Sequence, residues 1–600
     1  MTISPLRAAL AALAACCCLG ARAAPGGDPA PALEILWLGG EPGELTWRAF
    51  DAAGKPLARP PQTPFAARAP LGSLWKLFVY LWLVEERRPA PDYVCTGMAG
   101  ASAAARAHRL EETYCCTPGQ GIGLDAALVR SCGLFFAPGR LGIDARAWRE
   151  FWEARPGVRT HAPWLADLGA LKPETVVSPA SILHALAAAP LSARKAAAAV
   201  LLARLFDNGA DAALRATDLA RGLGSQLRVK TFSWHRPDDP GIRYGGGAGW
   251  LGDDRPVWFA GEGTGQQVMA RHGATLAAAL SGTLSPENAA AMPGCVKVDF
   301  FARHPFALER TDGKPAPEGA LRGRHVARFQ NGVAVSLEAD GEFTLTRENG
   351  RDRLEGRFGI DDYVARVIER EADATQTGAA RALSVVIRSY LLNEAKKQGN
   401  CLAIEDSSHA QRVSPKPPGA TARAIAGFTS GLVLVGAPVG YHSHTPSRNR
   451  MAWTAAVAAD RAGEPWDLIL RKAFPETSLA AAHDPAGIPC RRFASAETWL
   501  AAHAPRWQRI LRERLQGFEE PASPQVCLLS HGTPFSEQDR GRIHMRGLKT
   551  VEDRITLAHE YLHLGLRHHP SGHDEELIEQ WARRLTDGTT SHETANAFPR

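Results

Sequence analysis

Beyond the first 32 residues, Leu33-Glu34-Ile35-Leu36-Trp37-Leu38 followed by a Gly-rich turn predicts strands over 33–49. Ala/Leu-rich stretches with helical spacing follow at 70–87 and 179–222. Residues 226–233 and 256–261 read as strands around a second Gly-rich turn. This mixed α/β block ends near 290. Between 295 and 357 the period shortens: Val333-Ala334-Val335-Ser336-Leu337 and Phe343-Thr344-Leu345-Thr346 alternate, which predicts a small β unit. Residues 360–398 predict two helices broken near Asp373–Gly378, 420–475 short strands and a helix, and 495–517 with 550–586 a last helical block. The tail 587–600 is polar, and no repeat of fixed period is present.

Six hundred residues exceed one core and predict about three to five domains. Hydrophobic residues make up 45% and charged residues 22%, a globular balance. The net charge is +6 with no dense Lys/Arg run, which argues against nucleic acid as a partner and suits an anionic envelope polymer. Residues 1–23 read as an export signal: Arg7, an apolar run over 8–19, and Ala21-Arg22-Ala23 as the cleavage site. That run is too short for a permanent span, and no later segment has 18 uninterrupted apolar residues. Leu13-Ala14-Ala15-Cys16 also resembles a lipobox, so the expected location is the periplasm, either soluble or as an outer-membrane lipoprotein anchored through Cys16. Eight cysteines lie beyond the signal; Cys95 with Cys115 or Cys116, and Cys490 with Cys527, are the first disulfide pairings to expect.

Near the C-terminus stands His559-Glu560-Tyr561-Leu562-His563. Two histidines four apart on a helix project from one face and can chelate Zn2+ through two nitrogens. Glu560 beside them is placed as the base for an activated water. Pro570-Ser571-Gly572 breaks the helix and Asp574 caps another, whose core side is Leu577, Ile578, Trp581, Ala582 and Leu585. The run Glu575 to Ala582 resembles the second helix of glutamate zincins. That resemblance implies Glu575 as third metal ligand and Glu579 as the acid orienting a ligand histidine. His569 is a rival ligand, at the place where metzincins carry a third histidine.

Ser73-Leu74-Trp75-Lys76 puts a hydroxyl and an amine one turn apart, so the amine can activate the serine as an acyl nucleophile. Ser131-Cys132-Gly133 and Lys230-Thr231-Phe232 follow in an order and spacing that resemble penicillin-binding transpeptidases and serine β-lactamases over about 35–285. The resemblance implies Ser73 as nucleophile, Lys76 as base, Ser131 as proton shuttle, and Lys230 with Thr231 as binders of a substrate carboxylate. Gly133 stands where that family has Asn. Phe232 stands where it has Gly, and its bulk is expected to keep a substrate backbone from lying against the strand.

Residues 359–475 resemble the sporulation stage II protein D family of lytic transglycosylases. The resemblance rests on Tyr363 to Glu371, Ala379 to Tyr390, Asp406 with Gln411-Arg412-Val413, Ala424 to Leu434, and Pro465 to Leu470. It implies Glu371 as a catalytic acid that keeps its proton through partial burial, with Glu369 as a local competitor out of register. His442 and His444 read as polar loop residues.

The expected architecture is multidomain α/β and α+β. Residues 33–290 form a penicillin-binding-protein-like α/β domain, 291–475 a stage II sporulation protein D-like α+β domain, and 476–590 a mostly helical zincin-like domain. The set also resembles uncharacterised secreted bacterial proteins associated with bacterial α2-macroglobulins. The expected function is remodelling of peptidoglycan, by cleavage of glycan strands and by a zinc-dependent peptidase-like site. The alternative is a non-enzymatic envelope partner, for example of an α2-macroglobulin, in a protease-defence or assembly system.

Overall fold

The computed structural model describes residues 31–39, 44–58, 63–94, 121–206, 218–284, 292, 294–441, 443, 447, 449–484, 490–521, 524–529, 534–538, 541–567 and 569–587. The signal segment with Cys16, Cys95, Cys115, Cys116, His442 and His444 lie outside them.

The first unit is an antiparallel sheet with helices on its faces. Strands β1 (Leu33–Leu38) and β2 (Leu45–Phe50) come first, followed by helices α1 (Trp75–Glu85) and α2 (Leu191–Phe206). Strands β3 (Leu227–His235), β4 (Arg243–Leu251) and β5 (Pro256–Glu262) complete the sheet, in the order β2-β1-β5-β4-β3, before helix α3 (Gly265–Ser281). All residues of α1 from Trp75 to Leu83 are buried, as expected of a helix that is apolar on every side. The Gly-rich segment expected as a turn is strand β4. A Cβ at Gly246 would run into the Phe259 carbonyl and one at Gly249 into that of Arg228, so glycine here serves close strand packing rather than chain reversal.

Phe232 on β3 is packed into the interior of the first unit. It shares a face with Lys230, is 1% exposed, and stacks on Trp258 with ring centroids 6.3 Å apart. Gly72 makes the room: it lies at φ +46, and a Cβ there would sit 3.2 Å from the Phe232 Cβ and 3.1 Å from the Ser233 backbone.

The second unit begins with β6 (Cys295–Phe300), β7 (Phe306–Arg310), β8 (Gly319–Phe329), β9 (Ala334–Glu348) and β10 (Arg351–Gly359). The two short alternating runs of the sequence merge into one 15-residue strand, β9. Helices α4 (Ile360–Glu371) and α5 (Thr377–Glu394) follow with the expected break, then β11 (Lys396–Gln398) and β12 (Cys401–Glu405). The sheet order is β7-β8-β9-β10-β6-β12-β11, with β6 and β12 parallel and Cys295 facing Cys401 in a disulfide not anticipated from the sequence. The stretch 420–475 holds more helix than expected: α6 (Ala420–Phe428), strand β13 (Leu432–Val435), then helices at Trp453–Arg461 and Trp466–Ala473. Strand β14 (Ser478–Ala481) pairs with β13, so this unit runs a few residues past 475.

One hydrophobic core extends from Leu33 to Ala481 and takes in both units. The turn after α6 rivets them. Phe428 O accepts from Ser225 N (2.8 Å), Gly427 O from Gln226 Nε2 (2.6 Å) and Ser430 O from Arg228 Nη2 (3.2 Å). From the other side the fully buried Arg388 donates to Thr429 O (2.9 Å), Leu432 O (3.1 Å) and Asp361 Oδ1 (2.7 Å), while Ser430 Oγ donates to Asp361 Oδ2 (2.6 Å).

A separate core from Ala496 to Leu585 forms the third unit. It contains α7 (Ala494–Arg514), the sheet β15 (Gln525–Leu528), β16 (Phe535–Glu537) and β17 (Arg542–Met545) in the order β15-β17-β16, and helices α8 (Val551–Gly565) and α9 (Glu575–Asp587). The expected Cys490–Cys527 disulfide ties its first strand to the preceding chain. Among the described residues no single helix is long and apolar enough to cross a membrane.

Two outcomes test this packing. Arg388→Ala strands the Asp361 carboxylate and is expected to cost about 3–5 kcal/mol, whereas replacing both partners with apolar residues of similar volume recovers much of that loss; urea midpoints measure both. Gly72→Ala is expected to cost about 1–2 kcal/mol from its backbone conformation alone. A double-mutant cycle with Phe232→Ala is expected to show coupling of roughly 0.5–3 kcal/mol, because the two residues share one space.

Candidate functional site

Helix α8 starts at a capping box in which Thr550 Oγ1 accepts from Asp553 N and Asp553 Oδ2 accepts from Thr550 N. Its apolar positions, from Ile555 to Leu564, are packed into the third core, which fixes the rotation of the helix. His559 and His563 consequently emerge side by side with their Nε2 atoms 3.1 Å apart. Each ring is held from behind. His559 Nδ1 lies 3.0 Å from Glu579 Oε2 and His563 Nδ1 3.0 Å from Gly572 O. An Nδ1–H donated to each acceptor leaves both Nε2 lone pairs facing a common point.

Helix α9 brings Glu575 to that point. Its Oε2 is 3.2 Å from His559 Nε2 and 3.5 Å from His563 Nε2, and the three donor atoms lie within 4.8 Å of one another. Ligand atoms at about 2.0–2.1 Å from a tetrahedral zinc are roughly 3.3–3.5 Å apart, so the donor set fits that ion in chemistry and spacing. Glu579 stands behind His559 rather than among the donors, and also pairs with Arg583 at 2.7 Å. His569 is turned elsewhere: its ring lies against Gly517 and its Nδ1 accepts from Ser571 N at 3.3 Å. Glu576 faces Gln580 along the outer side of α9.

Glu560 is 7% exposed, and burial pushes its carboxyl up to about 7, against the pull of His559 and of hydrogen bonds from Ser536. Ser536 sits on β16, an edge strand beside α8. No sequence signal marked it, since the contact exists only once β16 and α8 are packed together.

In the first unit the sequence-predicted residues do converge. Lys76 Nζ is 3.3 Å from Ser73 Oγ, 2.8 Å from Ser131 O and 3.4 Å from Ser131 Oγ; Lys230 Nζ donates to Ser131 Oγ at 2.8 Å and to Thr231 O at 2.8 Å. Ser131 adopts φ +59, which aims its hydroxyl between the two amines. The arrangement can pass a proton from Ser73 through Lys76 to Ser131. Lys230 and Thr231 are 1% and 6% exposed.

In the second unit Glu371 closes α4. One oxygen accepts from Arg412 N at 2.6 Å and the other from the Tyr441 hydroxyl. Burial, with Glu371 alongside, pushes that phenol well above the ordinary tyrosine range, so it remains a donor. Gln411, from the same quoted motif, accepts from the buried Tyr363 hydroxyl at 2.6 Å. Glu369 accepts from Gly419 N at 3.3 Å and is exposed.

The predicted secreted protein family known as DUF2300 matches residues 107–241 and 449–571. The uncharacterised protein YfaQ of Escherichia coli (strain K12) is 40% identical over 526 residues, which cover 87% of this chain and 90% of YfaQ. Among solved structures, L2 complexed with relebactam is 18% identical, with a TM-score of 0.26, over 42% of this chain and 92% of its own. A β-lactamase from Sphaerobacter thermophilus is 14% identical, with a TM-score of 0.24, over 46% and 97%. On the strength of its match to YfaQ along most of both chains, this chain belongs to the same family as YfaQ, and it carries the match to the predicted secreted proteins.

Proposed function

We propose that this secreted protein is a zinc-dependent hydrolase of amide bonds in the cell envelope, with the periplasm as its compartment and peptidoglycan as its polymer. The observation that carries this reading is the convergence of His559 Nε2, His563 Nε2 and Glu575 Oε2 on one point, with both imidazoles oriented from behind. These three residues would hold the ion. When bound, zinc supplies Lewis-acid activation of a water molecule and of the carbonyl under attack. Glu560 takes the proton of the attacking water and returns it to the leaving amine. Ser536 hydrogen-bonds that carboxylate. Glu579 holds the His559 ring in the tautomer that leaves Nε2 free.

A second activity, cleavage of glycan strands in the middle unit, is favoured by a different observation. Beside the Glu371 end of α4 lies a groove of about 1020 Å³, lined by Arg303, Arg370, Arg412 and Lys416 with Phe301 and Phe329. Apolar rings and cations suit the faces and carboxylates of a peptidoglycan strand.

The metal reading is tested by metal analysis and chelator competition on the mature protein. One zinc per chain is expected. His559→Ala should abolish stoichiometric binding, and Glu579→Gln should weaken it about 10–100-fold. His569→Ala should leave it unchanged. Equal zinc in wild type and His559→Ala would remove the metallohydrolase reading.

A further inference from the structure

A chamber of about 640 Å³ opens where the first two units meet. Helix α2 forms one wall: Lys195, Ala199 and Leu202 line the chamber at helical spacing, so they stand along one face of the helix. Leu251 and Gly252 at the end of β4, Met292 and Gly431 continue the apolar lining, and Arg228 on β3 adds a cation. A cavity of this size, mostly apolar with a few polar groups and set at a junction between units, has the build of a small-molecule site.

The charged groups of the lining are Asp125 and Asp254 against Lys195, Arg228 and His483. Both acids are already matched. Asp125 accepts from the Tyr80 hydroxyl at 2.8 Å and lies 3.3 Å from His483 Nε2, and Asp254 pairs with Arg194 at 3.7 Å. Two cations remain. Arg228 donates to carbonyls alone: Ser225 O at 2.6 Å, Ala198 O at 3.2 Å and Ser430 O at 3.2 Å. These bonds leave N–H groups of the guanidinium over. The acid that acts on it from further away, Asp361, is bonded to Arg388, Ser430 and Met292 N. Burial, without a carboxylate paired to it among the described residues, pushes the Arg228 guanidinium down to about 10. Lys195 is exposed and forms no ion pair or hydrogen bond among the described residues.

We propose that this chamber binds a small amphipathic anion, a single carboxylate or phosphate on an acyl-chain-like body, with the charge between Arg228 and Lys195 and the body against α2, Leu251 and Met292. A cation held at a low-dielectric wall is costly without a counter-charge, and the anion supplies one. A neutral apolar ligand leaves both cations uncompensated. A wholly polar ligand leaves the alanine, leucine and methionine walls in contact with water. The chamber shares no lining residue with the Ser73 cluster, the groove beside Glu371 or the donor trio of α8 and α9, so this assignment stands apart from the hydrolase reading. Ser430 and Gly431 belong to the turn that joins the two units, so a bound ligand also touches that joint and is expected to raise the unfolding temperature.

The test titrates the full mature protein with the fluorescent fatty-acid probe dansylaminoundecanoate. Saturable binding at one site per chain is expected. Decanoate and decyl phosphate compete in separate arms, and the one that displaces the probe at lower concentration identifies the head group. Decanol, with the same body and no charge, should compete about tenfold more weakly than the better anion. Lys195→Glu and Arg228→Gln should each weaken binding about tenfold or more; the glutamine keeps a donor for the neighbouring carbonyls, and circular dichroism checks both folds. Ala199→Phe fills the chamber without changing charge. It should abolish binding, together with the rise in unfolding temperature that the probe gives the wild type. No saturable binding to the wild type, or undiminished binding to Ala199→Phe, overturns the site. Decanol competing as well as decanoate and decyl phosphate, or wild-type affinity in both charge variants, overturns the anionic class of the ligand.

Discussion

The turn Gly427–Leu432 is the constraint on which the first two units depend. Its carbonyls are buried, and a buried carbonyl without a donor costs free energy comparable to a lost hydrogen bond. Gln226, Ser225 and Arg228 serve it from the first unit, and Arg388 from the other side. Because donors from both units converge on one turn, neither unit can withdraw without orphaning polar groups in the other. The shared core from Leu33 to Ala481 is the apolar counterpart of the same fact. Asp361 completes the arrangement by compensating Arg388, whose charge would otherwise stand alone in a low-dielectric interior.

The third unit is built on a different principle. Its own core orients α8, and α9 then closes over the histidines, so the candidate metal site belongs to one helix pair and needs nothing from the larger body. Among the described residues its links to that body include the Cys490–Cys527 disulfide, Gln525 Nε2 donating to Ser478 Oγ at 2.7 Å and Arg492 N donating to Glu476 O at 3.2 Å. The donor trio in one core and the two polar clusters in the other are therefore built independently of each other.

What the sequence made legible was local. The His559–His563 spacing is a property of helical periodicity, and Asp574 announces the restart that brings Glu575 forward, so the donor trio follows from residues within 17 positions of one another. The Ser73, Lys76, Ser131 and Lys230 group was legible only through family-like order, yet its members meet. The failures were tertiary. A run of glycines predicts a turn by propensity, but at Gly246 and Gly249 the neighbouring strands leave no space for a Cβ, and packing decided. The packing of Phe232 against Gly72 joins residues 160 positions apart in the chain, which no local pattern reveals. Cys295 and Cys401 meet because β6 and β12 run parallel in register, which no spacing rule reveals.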